Sequence, residues 1–487
     1  MSFVSREFAV FFVVVAAVYF VLPYRARWVW LLAASVFFYG SSEPLFLIQI
    51  LSATAIAYGF GRLIERAPDN AAKRSALVIG LCILAGNLIV FKYTGFLNES
   101  VRWIFASAGL AYPVPSLNIL MPIGISFYTF LLVGYLVDVF RGTQAERHIG
   151  IFSLYVLFFP KVVAGPIERT KNLLPQLHAS HPFNYDQVVF GLQLILWGVF
   201  QKAVVADRIL PFVDGVYNAP RTADGVMMTM ATFLYAFQLY ADFSGYTNIA
   251  LGCAAILGFK LIGNFNRPYF ATSIADFWKR WHISLTSWLT DYVYTPLTRQ
   301  RRFKIKFFTM MLIGLFITFT VSGFWHGAGW TFVIWGMLHG TYIVASLLSQ
   351  KQRLKFVRWI GLDKLPALHH AIKIAITFSL VCFAYIWFRA GSGADALYIT
   401  THLLTGWSNP GVGIKRVVGT ELLSFVLCLM GIAVMIVADA LHGTNGVRAI
   451  LAARPAWMRW GLYYAGFASI LLFGMIYSQQ NFIYFRF

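Results

Sequence analysis

Residues 307–350 read FFTMMLIGLFITFTVSGFWHGAGWTFVIWGMLHGTYIVASLLSQ, 44 consecutive positions without an Asp, Glu, Lys or Arg. A membrane-spanning helix needs about 17–25 mostly apolar residues, so this run is long enough for two. Its middle holds Ser322-Gly323-Phe324-Trp325-His326-Gly327-Ala328-Gly329-Trp330. The 19 residues of 307–325 precede His326, which is one full span. Gly323, Gly327 and Gly329 lower helix stability and admit a second backbone or a ligand at close range. The run therefore predicts two helices with a break beside His326, placed against a protein-lined cavity.

The rest of the chain reads the same way. Charge-free runs recur at 8–24, 28–42, 44–61, 75–91, 103–137, 187–201, 225–241, 243–259, 374–388, 422–438 and 461–485. Hydrophobic residues make up 59% of the 487, and charged residues 12%. Soluble domains carry about 45–50% and about 25%. That balance excludes an ordinary soluble enzyme and a disordered chain. A transmembrane barrel is disfavoured, because the runs do not alternate apolar with polar. The fold class expected is all-α, a polytopic integral membrane protein with about 11–13 transmembrane or re-entrant helices.

Phe8–Tyr24 lacks a convincing cleavage site and reads as a retained span rather than a signal peptide. The net charge of +20 comes from basic residues in short connectors, such as Arg25 and Arg27, or Arg62, Arg66, Lys73 and Arg74. This is the positive-inside signature, not a nucleic-acid footprint, and it puts the N-terminus outside. Cys82, Cys253, Cys382 and Cys428 each lie in an apolar run, with neither zinc spacing nor a disulfide framework. No polar connector is long enough to fold alone. One domain over 1–487 is expected, and no internal repeat suggests a repeat-built transporter.

Connector 260–306 is more than a loop. Ser273-Ile274-Ala275-Asp276 fits a capping box. Ile274, Phe277, Trp278, Trp281, Leu285, Trp288, Leu289 and Tyr292 then recur at helical spacing. With Lys279 and Arg280 this predicts an amphipathic helix at the membrane interface. It carries His282 on the side of Trp278, Leu285 and Leu289.

Ionisable groups at membrane depth are costly and are functional candidates. His326 is one; the bland alternative is a buried histidine bonded to a carbonyl. His339 follows 13 residues later. In a continuous helix that is about 20 Å along and roughly 220° around, which argues against a shared metal site, and no metal is expected. Gln238, Asp242, Ser244 and Asn248 form another polar group, which hydrogen bonding between helices would explain. Uncharged spans enclosing a few histidines suit proton-assisted chemistry or transport alike.

Gly323-Phe324-Trp325-His326-Gly327 resembles the tryptophan–histidine–glycine motif of the membrane-bound O-acyltransferases. Four more stretches are similar to the bacterial polysaccharide branch of that family, which acetylates alginate and related exopolysaccharides. They are Met121–Tyr128 continuing to Tyr135–Gly142; Phe159–Ile167; Tyr240–Tyr246; and Asn264–Tyr269 through Trp281–Leu285. Phe482–Phe485 resembles that branch's ending. The resemblance concentrates in 119–390, with 1–118 and 391–487 peripheral.

The resemblance implies a bundle built around a central tunnel in a bacterial inner membrane. It implies acyl transfer from a cytoplasmic thioester, acetyl-CoA or an acyl carrier protein, with no permanently bound cofactor. His326 matches the family's catalytic histidine, and His282 has a supporting place. A neutral imidazole can take the proton of an attacking hydroxyl. The oxyanion donors would come from His282, Ser322 and backbone N–H groups near Gly323. Asp242, Trp325, Ser322 and His339 are tunnel or supporting residues, and Arg169 and Arg302 would hold the donor's phosphates. A separate periplasmic hydrolase-like acetyltransferase is the expected partner, beside membrane lipid. A D-alanyl-transferring relative shares the same core, so the acyl group stays open. A transporter or lipid-carrier flippase is the reading outside the enzyme class.

Overall fold

The computed structural model describes residues 1–42, 44–117, 119–299, 306–441, 443–475 and 482. Arg302 falls outside them. Among the described residues every regular element is helical. Seven helical rods are long and apolar enough to cross a membrane, and Ile125–Phe140 is an apolar helix of 16 residues. The chain is a multi-pass membrane protein. Two further charge-free runs form the apolar helices Arg6–Val21 and Tyr24–Gly40, of 16 and 17 residues.

The chain forms two compact units. The first comprises Met1–Ile195 and Ile249–Ile262. Its helices are α1 (Arg6–Val21), α2 (Tyr24–Gly40), α3 (Pro44–Arg66), α4 (Asn70–Leu88), α5 (Thr94–Ser107), α6 (Ile125–Phe140), α7 (Ile149–Leu157), α8 (Thr170–Leu177) and most of α9 (Tyr185–Val199). Ser5 caps α1 and Asp69 caps α4 through side-chain oxygens, satisfying N–H groups the helix start leaves over. Phe8, Phe12, Phe38 and Phe159 pack into one aromatic cluster.

The second unit comprises Leu196–Asn248 and Gly263–Phe487. After a π-helical turn at Phe200–Ala206 come α10 (Asp207–Tyr217), α11 (Gly225–Ile256), α12 (Ile274–Trp278), α13 (Ile283–Leu289), α14 (Thr295–Thr298), α15 (Phe307–His326), α16 (Trp330–Leu348), α17 (Gln350–Trp359), α18 (Pro366–Arg389), α19 (Gly393–His402), α20 (Pro410–Val418), α21 (Leu422–Ala440), α22 (Gly443–Ala452) and α23 (Ala456–Phe473). The last residues of α11 belong to the first unit.

The 44-residue run folds as expected into α15 and α16, broken at Gly327–Gly329. The two helices touch backbone to backbone. A Cβ on Gly323 would come within 2.3 Å of the Phe332 carbonyl oxygen, and one on Gly336 within 2.4 Å of the Phe319 carbonyl oxygen. Only glycine permits that approach, the small-residue packing typical of helices in lipid.

The continuous amphipathic helix expected over 274–292 does not form. Ser273 does cap its start, accepting the Asp276 N–H, and Asp276 binds Arg280 at 2.8 Å. The helix stops at Trp278, resumes at Ile283, and winds as a π-helix over Thr290–Tyr294. Nor does its aromatic side lie at a surface, since Trp278, Trp281 and Trp288 are buried. Periodicity recorded which side chains are apolar, and they face the interior of the protein rather than lipid.

Candidate functional site

His282 lies at the break between α12 and α13 with φ 44° and ψ 52°, in the left-handed region. Only one other non-glycine among the described residues, Arg267, has positive φ. This conformation costs a non-glycine residue about 1–2 kcal/mol, so surrounding contacts must impose it. Two asparagines do so. The Asn266 N–H donates to the Arg280 carbonyl at 2.9 Å, and the Ile283 N–H donates to the Asn264 carbonyl at 3.0 Å. Asn264 Oδ1 also accepts the Ser284 hydroxyl at 2.6 Å, capping the start of α13. The pairing clamps the chain on both sides of His282. The imidazole is fully buried, edge-on to Phe243 at 4.7 Å between ring centroids. Burial pushes its pKa down to about 3, so the ring is neutral near pH 7.

His326 is the last residue of α15 and is buried. Its ring stands edge-on to Trp325 and Trp335, each at 4.9 Å, and to Phe388 of α18 at 5.3 Å. The His282 ring is 6.2 Å from it, centroid to centroid, and Trp325 touches both. Residues 44 apart in sequence thus meet in one aromatic cage.

His339 joins this group from α16. The helical-wheel separation of His326 and His339 assumed one continuous helix. The break instead folds α16 back, and both imidazoles pack on Trp335 at 4.9 Å. The Trp278 indole N–H donates to His339 Nδ1 at 3.2 Å. A neutral His339 therefore carries its proton on Nε2. Among the described residues His339 Nε2, Trp335 Nε1 and the Ser322 hydroxyl are buried without a hydrogen-bond partner. Thr318, one turn before Ser322, bonds back to the Gly314 carbonyl at 2.6 Å, but Ser322 makes no such bond. Buried polar groups are ordinarily satisfied, so each of these three donors is open to an acceptor. The backbone N–H of Gly323 is no candidate for that role: it lies inside α15 and belongs to the helical ladder.

Asp242 sits on α11, in a neighbouring polar cluster. Lys202 Nζ bridges Asp207 at 2.7 Å and Asp242 at 2.8 Å, all three buried. Gln201 donates to Ser244 at 2.8 Å and accepts from Asn248 at 2.7 Å. The π-helical turn brings Lys202 and Asp207, five residues apart, onto one side. It fits because residue 245 is glycine; a Cβ there would come within 2.7 Å of the Gly198 carbonyl oxygen. Sequence reasoning missed Lys202 and Asp207. Lys202 directly follows the charge-free run 187–201, where a lysine reads as the end of a span. Its spacing of five to Asp207 was the available signal. Trp278, Trp335 and Phe388 were also missed as site residues, since aromatic residues are plentiful in every span.

Arg169 lies in the first unit, half-buried, immediately before α8. Beside it Glu168 is buried, accepting the Ile262 N–H at 2.6 Å and the Asn172 amide at 2.5 Å. Burial raises the Glu168 pKa, and burial likewise lowers that of Lys161.

Among the described residues no group of three or more His, Cys, Asp or Glu side chains could hold a metal ion. What the cage does hold is two adjacent imidazoles, fixed N–H and O–H donors and an aromatic wall. Neutral imidazoles can exchange protons, and buried donors of this kind can hydrogen-bond an acceptor. Residues 148–387 match the model of MBOAT, the membrane-bound O-acyltransferase family. The chain is 33% identical over 446 residues to a probable alginate O-acetylase, AlgI, of Azotobacter vinelandii, covering 89% of this chain and 84% of that one. It is 32% identical over 397 residues to a peptidoglycan O-acetyltransferase of Helicobacter pylori, covering 76% and 72%. It is 28% identical over 310 residues to a teichoic acid D-alanyltransferase of Bacillus subtilis, covering 61% and 77%. The chain belongs to the membrane-bound O-acyltransferase family. It is an O-acyltransferase.

Proposed function

We propose that the chain takes an acetyl group from a cytoplasmic thioester, acetyl-CoA, and passes it across the bacterial inner membrane for O-acetylation of an exopolysaccharide. The observation that carries this reading is the seat of His326: buried at a helix end, beside the neutral His282 ring and the unpartnered donors of Ser322, Trp335 and His339. The polymer class rests on the relatives, whose names include alginate O-acetylases and a peptidoglycan O-acetyltransferase.

In this reading His326 takes the proton of the attacking hydroxyl as its oxygen bonds to the thioester carbon. The carbonyl oxygen gains charge and is met by the fixed donors, which need no reorganisation during the reaction. The carbon–sulfur bond breaks, and the proton held by His326 leaves with the thiolate. His282 orients the pair from its clamped position. Arg169 serves as a phosphate-holding group for the donor, as does Arg302. No permanently bound cofactor is required, because the thioester supplies the leaving group. A periplasmic hydrolase-like acetyltransferase then moves the acetyl from the ester so formed to a sugar hydroxyl, whose proton returns to the released acceptor oxygen.

The test is transfer of radiolabelled acetyl from acetyl-CoA by the purified full chain, with His326→Ala as control. Loss of transfer in that variant is the expected result; full activity would overturn the assignment. The resemblance to a D-alanyltransferase makes a D-alanyl thioester the competing donor, and preference for it would replace acetyl in this reading.

A further inference from the structure

The first unit contains a cavity of about 240 Å³ that the acyl-transfer reading does not use. Its walls include Tyr24, Arg25, Arg27, His148, His178 and His181. Two helices start at it. Tyr24, Arg25 and Arg27 form the first turn of α2, and His148 immediately precedes α7. Helix N-termini carry a positive partial charge, and the start of α2 here carries two arginines as well.

Arg27 is held in place, and among the described residues neither arginine is neutralised by a carboxylate. The Arg27 guanidinium donates to the carbonyls of Leu22 at 3.0 Å, His181 at 2.7 Å and Phe20 at 3.4 Å, and lies over the Tyr19 ring at 4.9 Å. These bonds use part of its five N–H donors. Among the described residues neither Arg25 nor Arg27 has a carboxylate within ion-pairing distance. Glu146, near the cavity, is already engaged by His178 Nε2 at 2.8 Å and by the N–H groups of Arg147 and His148, both at 2.8 Å. His148 caps α7, its Nδ1 accepting the Ile151 N–H at 3.2 Å, so the neutral ring offers Nε2–H as a donor.

Apolar side chains surround this part of the fold. Val21 ends α1, Val29 lies one turn into α2, and both are exposed. Exposed Phe183 packs against Phe20 at 5.3 Å. A pocket for a whole drug-sized ligand runs to roughly 300–1,000 Å³, so this one suits a headgroup and not a nucleotide-bearing donor. We propose that the cavity binds the phosphate of an anionic membrane phospholipid, with the acyl chains lying over the exposed apolar face of α1 and α2.

The experiment is native mass spectrometry of the full chain in detergent, titrated with dioleoyl-phosphatidylglycerol. Dioleoylglycerol, with the same chains and no phosphate, is the reference. Retention of phosphatidylglycerol over dioleoylglycerol is expected. Arg25→Gln removes one charge and weakens phosphatidylglycerol binding about fivefold. His148→Asn keeps a good helix cap but loses the Nε2 donor, and also weakens binding. Equal retention of the two lipids, or wild-type binding by both variants, would overturn the proposal. Displacement of the lipid by coenzyme A would overturn its lipid source and assign the phosphate site to the acyl donor.

Discussion

At the residue scale, His326 and His282 carry different tasks in the same cage. Removing His326 takes away the proposed base, and general-base contributions run to about 10²–10⁴ in rate. His326→Ala should lose acyl transfer by that order in a radiolabel assay while retaining the wild-type melting curve. His282 couples to pH through its burial. Its folded-state pKa lies near 3, below the 6.5 of an ordinary histidine, so the unfolded chain binds the extra proton first on acidification. Stability is therefore full above about pH 6.5 and falls toward pH 3. His282→Asn, which tolerates the left-handed conformation, should flatten that acid limb in thermal unfolding measured across pH. An unchanged slope would show that other groups set it. The sequence marked both histidines, because charge-free surroundings make any imidazole stand out. It did not mark the left-handed backbone of His282, which is imposed by Asn264 and Asn266 from a separate segment.

At the element scale, the fold rests on irregular turns as much as on long helices. The buried Lys202–Asp207–Asp242 triad depends on the π-helical turn that follows α9. Lys202→Met leaves two carboxylates buried without their cation, which should destabilise the chain by about 3–5 kcal/mol, read as a lowered melting temperature in detergent. Restored stability in the Lys202→Met, Asp207→Asn, Asp242→Asn variant would assign that cost to the stranded charges. Helices α15 and α16 were legible in advance, since a long uncharged run interrupted by glycines has few other outcomes. The bent path through α12, α13 and the following π-turn was not. Its apolar spacing fits a straight helix equally well, and the difference lies in long-range hydrogen bonds.

At the scale of the whole molecule, composition alone announced a multi-pass membrane protein, and basic connectors suggested its orientation. The turn between α3 and α4, flanked by Arg62, Arg66, Lys73 and Arg74, should face the cytoplasm. A single cysteine at Ala67, in a chain with Cys82, Cys253, Cys382 and Cys428 replaced, should react with an impermeant maleimide only in inside-out vesicles. Reaction from the outer side would reverse the topology. Family membership could be read from a handful of motifs, but the acyl donor and polymer could not, since proteins named for different activities are all similar to this chain. The close approach of α15 and α16 also bears on how such a protein can diverge. With Gly323 and Gly336 locked against opposing carbonyls, the hairpin cannot widen by substitution at those positions. New acyl specificities must instead arise by resizing the side chains that wall the cage, Phe388 and Trp335 foremost. Laboratory evolution toward longer acyl groups should accumulate its changes there and leave the glycines untouched.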